Sequence, residues 1–108
     1  MSGFKSGPGG KVTELQVESP AASEPVLSIK NTHAGATAGS LRFTKDTSDE
    51  SAANDDALGT IDFYGENDNG TPESIQYVSA VAKSTDIADG SESGTLEFKA
   101  IVDGTLVT

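Results

Sequence analysis

Gly59-Thr60-Ile61-Asp62-Phe63 and Gly94-Thr95-Leu96-Glu97-Phe98 spell the same pattern twice: glycine, hydroxyl, aliphatic, charge, phenylalanine. Gly39-Ser40-Leu41-Arg42-Phe43 is a third copy, and Gly104-Thr105-Leu106 begins a fourth. In an extended chain successive side chains point to opposite faces, so the aliphatic residue and the phenylalanine share one face while the charge between them points to water. The copies are unevenly spaced, which excludes a solenoid of fixed period. They represent one local strand solution used repeatedly.

The same alternation extends to both sides of these copies. Leu15 and Val17 alternate with Gln16 and Glu18, Leu27 and Ile29 with Ser28 and Lys30, and Ile75 and Tyr77 with Gln76 and Val78. Together with the pairs Leu41/Phe43, Ile61/Phe63 and Leu96/Phe98, this predicts six short strands. Turn-forming clusters separate them at residues 19–24, 31–40, 65–72 and 86–94. Asn69-Gly70 is the dipeptide of a tight hairpin turn between the strands at Ile61 and Ile75. Residues 46–57 hold five acids and no large apolar side chain, which reads as a solvated loop or a single helical turn. No stretch carries the i, i+3, i+4, i+7 apolar spacing of an amphipathic helix. The predicted class is all-β with almost no helix: short antiparallel strands in a β-sandwich or an intertwined β fibre.

The 108 residues allow one domain, read as residues 12–108, preceded by a flexible arm over residues 1–11 that is rich in Gly, Ser and Pro. Leu, Ile, Val and Phe total 22 side chains, and the formal charge is −10. So few apolar residues on a strongly charged chain lie at the border of disorder. A thin core with many short strands leaves apolar faces and strand edges that need cover. Sister copies of the chain would supply it. The final Gly104-Thr105-Leu106-Val107-Thr108 reads as another strand, one that completes a neighbour's sheet or continues into a longer chain.

Composition also removes several chemistries. With a single arginine, Arg42, and six scattered lysines, the chain lacks the clustered basic charge that binds phosphate backbones, so no nucleic-acid partner is expected. Apolar runs of two or three residues cannot insert into a membrane. Zero Cys excludes disulfides, Cys-zinc sites and thiol catalysis. His33, the one histidine, reads as an exposed turn residue, and no nucleophile–base spacing recommends an enzyme. Placing Gly70 at the invariant glycine of a calcium loop puts Gly65, which has no ligating side chain, at the first ligand position, so that motif fails. No cofactor, metal or catalytic residue is assigned.

Asp56-Ala57-Leu58-Gly59-Thr60-Ile61-Asp62-Phe63-Tyr64-Gly65-Glu66-Asn67-Asp68-Asn69-Gly70, followed by Tyr77 and by Asp89-Gly90-Ser91-Glu92-Ser93-Gly94-Thr95-Leu96-Glu97-Phe98, resembles the β-rich modules of bacteriophage tail fibres and virion appendages of marine-phage type. Pro25-Val26-Leu27-Ser28-Ile29-Lys30-Asn31-Thr32 and Leu41-Arg42-Phe43-Thr44-Lys45-Asp46 fit the same kind of module. Ser93 departs from the acid expected before the glycine. The resemblance implies a homotrimeric structural protein of the virion, assembled in the host cytoplasm and exposed on the particle, with the N-terminal arm contacting other virion proteins. Leu41, Phe43, Ile61, Phe63, Leu96 and Phe98 are the expected apolar core or trimer interface. A capsid decoration protein and a monomeric carbohydrate-binding β-sandwich are the competing readings. The latter is poorly served by a chain with no Trp and with Tyr64 and Tyr77 as its only tyrosines.

Overall fold

The computed structural model describes residues 11–47 and 51–108. The expected arm, residues 1–11, lies outside the described residues except for Lys11. Two compact units divide the chain, Met1–Ser40 and Leu41–Thr108.

The second unit is a four-stranded antiparallel meander in the order β1-β2-β3-β4, formed by β1 (Asp56–Glu66), β2 (Ser74–Asp86), β3 (Ser93–Val102) and β4 (Thr105–Val107). No helix occurs among the described residues. The class is therefore all-β, built here as one sheet.

The strands begin and end where local chemistry turns the chain. Between β3 and β4, Asp103 and Gly104 have φ of 47° and 83°, the paired left-handed conformation of a two-residue hairpin whose twist matches its strands. This corrects the expectation that the final strand completes a neighbour's sheet: Val107 pairs with Ala100 of its own chain. Between β2 and β3, Ser91 N donates to Ala88 O at 2.9 Å across a turn with Gly90 at φ 88°.

The β1–β2 connection differs from the predicted Asn-Gly turn. Seven residues separate the strands, and Glu73 organises them. Asn67 Nδ2 and Asn69 Nδ2 donate to Glu73 Oε1 at 3.0 and 2.9 Å, and Glu73 N donates back to Asn67 Oδ1 at 3.0 Å. Asn69 serves as a donor to a carboxylate, not as the left-handed corner of a hairpin.

In the first unit, residues 19–24 turn as predicted, with Ser19 Oγ accepting from Ala21 N and donating to Glu24 Oε1. Asn31 Oδ1 accepts from His33 N at 2.7 Å, and His33 Nδ1 from Gly35 N at 2.9 Å. The stretches around Leu15, Leu27 and Leu41 are not strands. Their alternation is that of a strand, but a strand exists only when its backbone groups find a second strand. Over residues 11–47 the described backbone–backbone bonds reduce to Glu24 N to Ala21 O.

Candidate functional site: a bare apolar sheet face

The register sorts the sheet into two chemically distinct faces. Ile61 pairs with Ala80 and Ala80 with Phe98; Phe63 pairs with Val78 and Val78 with Ala100; Gly59 pairs with Ala82 and Ala82 with Leu96. Residues directly opposite in antiparallel strands share a face. Ile61, Phe63, Val78, Ala80, Ala82, Leu96 and Phe98 thus line one side without a charge among them.

The other side is polar. Asp62, Ser79 and Lys99 fall opposite one another, as do Thr60, Val81 and Glu97. Gln76 Nε2 donates to Asp62 Oδ1 at 2.8 Å, and Lys83 Nζ lies 3.2 Å from Glu97 Oε1 on the diagonal. This face needs no cover beyond water.

The apolar face has little cover within the chain. Among the described residues no hydrophobic side chain is buried, and Ser79, at 3% exposure, is the sole buried residue. Ile61, Phe63, Leu96 and Phe98 are 48, 55, 57 and 64% exposed. An aromatic side chain offers roughly 150–250 Å² to cover. Phe43, Phe63 and Phe98, each at least half exposed, therefore leave about 300 Å² bare before the aliphatic residues are added. Apolar patches of this size are often functional, and larger ones mark interaction sites.

Of the six expected interface residues, the structure brings Ile61, Phe63, Leu96 and Phe98 onto one face of one sheet. Phe43 comes to the same face from outside the sheet, lying over Gly59. With Leu58, Ile61, Ala80, Ala82 and Leu96 it borders a groove of about 280 Å³. Leu41 lies exposed and does not line that groove. Sequence reasoning missed Val78, Ala80 and Ala82, the floor of the face. Their signal was the alternation Val78, Ala80, Ala82 itself, hidden by small side chains.

A second, open hollow of about 650 Å³ lies at the other end of the sheet, with Ile75, Tyr77, Ile101 and Leu106 beside Asn67 and Asp103. Among the described residues no group of three or more acids or histidines is placed to hold a metal ion, and no helix is long and apolar enough to cross a membrane. Asp49 and Glu50 of the acidic loop lie outside the described residues. The carboxyl of Glu73 is held below its ordinary pKa by the hydrogen bonds from Asn67 and Asn69.

No family model, no curated protein and no solved structure matches the chain. The fold and its face define a class in physical terms: a single-sheet β module with one apolar side exposed.

Proposed function

We propose that the chain is a structural protein of a phage virion, a segment of a homotrimeric tail fibre or appendage that connects the particle to its host-recognition parts. Its work is mechanical: copies bury the apolar faces of their sheets against one another and turn the polar faces outward. The observation that carries this reading is the shared face of Ile61, Phe63, Leu96 and Phe98 in a chain with no buried hydrophobic residue among those described. A face of this kind marks a surface for another molecule, and the resemblance to fibre modules in the sequence favours sister copies.

Light scattering on the purified chain at micromolar concentration tests the assembly, and a trimer mass is expected. A folded monomer overturns the reading. Electron microscopy of labelled particles tests the location. Density on the tail is expected, and density on the head would replace the appendage with a capsid decoration protein.

A further inference from the structure

We propose that the outer edge of β1 accepts an added strand from a neighbouring copy, and that the donor is Val26-Leu27-Ser28-Ile29-Lys30. This inference rests on the self-assembly proposed above and names the segment through which copies interlock.

The acceptor is an open edge. Among the described residues β1 lies at one border of the sheet and pairs with β2 alone. Exposed edges are usually guarded by lysine, proline or bulges, and β1 carries no lysine and no proline. Its register irregularities fall between Ala57 and Gly59 and between Phe63 and Tyr64. Between them runs a regular stretch, Gly59-Thr60-Ile61-Asp62-Phe63, five residues long.

The donor is a strand sequence without a strand partner. None of the described backbone–backbone bonds involves residues 26–30, and all five residues are exposed. Offset by one residue, so that Ser28 falls opposite Thr60 or Asp62, the added strand in either direction puts Leu27 and Ile29 beside Ile61 on the apolar face and Ser28 on the polar face. Main-chain bonds would supply affinity and the alternate side chains specificity, as in strand addition generally.

Charge selects this segment over its two rivals. β1 carries Asp56, Asp62 and Glu66 and no cation. The stretch around Leu15 is flanked by Glu14 and Glu18, which β1 repels, whereas residues 26–30 bring Lys30. The stretch around Leu41 is already engaged in its own unit, through Phe43 over Gly59 and Lys45 Nζ at 3.8 Å from Asp56 Oδ2.

The absence of native cysteine makes the test direct. Facing residues of paired strands have Cα atoms about 4.5–5.5 Å apart, within reach of a disulfide. Full-length Ser28→Cys chain is co-refolded with Thr60→Cys or with Asp62→Cys chain and oxidised, with Gln16→Cys as the control donor. The expected result is a covalent dimer containing one chain of each kind with Ser28→Cys and none with Gln16→Cys. Equal linkage by Gln16→Cys, or no mixed dimer with Ser28→Cys, overturns the proposal, as does a Ser28→Cys/Thr60→Cys double variant that closes only within its own chain. Light scattering on the same samples separates the two readings. A trimer without the mixed disulfide removes strand addition alone, and a monomer removes the assembly as well.

Discussion

Phe43 lies so close over Gly59 that a Cβ placed on the glycine would stand 2.7 Å from the Phe43 Cβ. That is well inside ordinary contact, and the obstructing atoms are the root of the phenylalanine rather than a flexible tip. Gly59 is thus a seat, where a missing side chain lets the segment before β1 fold back onto the sheet.

Gly59→Ala is therefore expected to destabilise the second unit by about 1–3 kcal/mol, the usual cost of overpacking. Gly70 is the control, because a Cβ there meets nothing within 4 Å and its φ is not left-handed. Gly70→Ala should leave stability level or raise it slightly, since alanine lowers the entropy of the unfolded chain. Denaturant melts of the two variants should separate, and equal midpoints would contradict the seat.

Phe98 is expected to contribute to assembly, because it is mostly exposed in the single chain. Phe98→Asp should dissociate the oligomer at concentrations where the parent chain is assembled, and lower its melting temperature with it. A buried charge without a partner is strongly unfavourable at an interface. An unchanged mass by light scattering would place the interface elsewhere.

Glu73 should titrate below its ordinary value of 4.5, because the side-chain amides of Asn67 and Asn69 bond its charged form. A carboxyl whose pKa is lower folded than unfolded adds stability that is complete above the unfolded pKa and disappears as pH falls through the folded one. Glu73→Gln should flatten the acid limb of the stability profile below about pH 5. Carbon-detected NMR titration of the Glu73 carboxyl checks the sign, and a midpoint above 4.5 would refute it.

Salt should strengthen the assembly modestly. Each copy brings ten net negative charges, and their mutual repulsion is screened over about 8–10 Å near physiological ionic strength. A melting temperature that fell steadily from low to moderate salt would contradict this expectation.

Particular residues show what the sequence could and could not disclose. The strands at Ile61 and Leu96 are legible because a large apolar residue recurs at every second position with a glycine ahead. β2 is partly hidden. Its central residues are Ser, Ala, Val and Ala, and the register shift opposite Phe63 and Tyr64 breaks the period near Tyr77. The stretches at Leu15, Leu27 and Leu41 carry the same alternation yet form no strand, because alternation specifies faces and not partners. The Glu73 staple joins residues six apart through side chains, which a turn dipeptide cannot signal. The shared face of Ile61 and Phe98 needs the register through Ala80, a relation between three strands that no local pattern contains.

That Ser79 is the one buried side chain among the described residues has a calorimetric consequence. Heat-capacity change on unfolding follows the greasy surface newly wetted, and a solitary copy, with no hydrophobic side chain buried among those described, has less of it to wet than a closed core would. On the assembly proposed above, a large share of that change belongs to the parting of copies. The melt should therefore sharpen and move upward as the solution is concentrated, while the most dilute samples lose their structure over a broad, shallow slope.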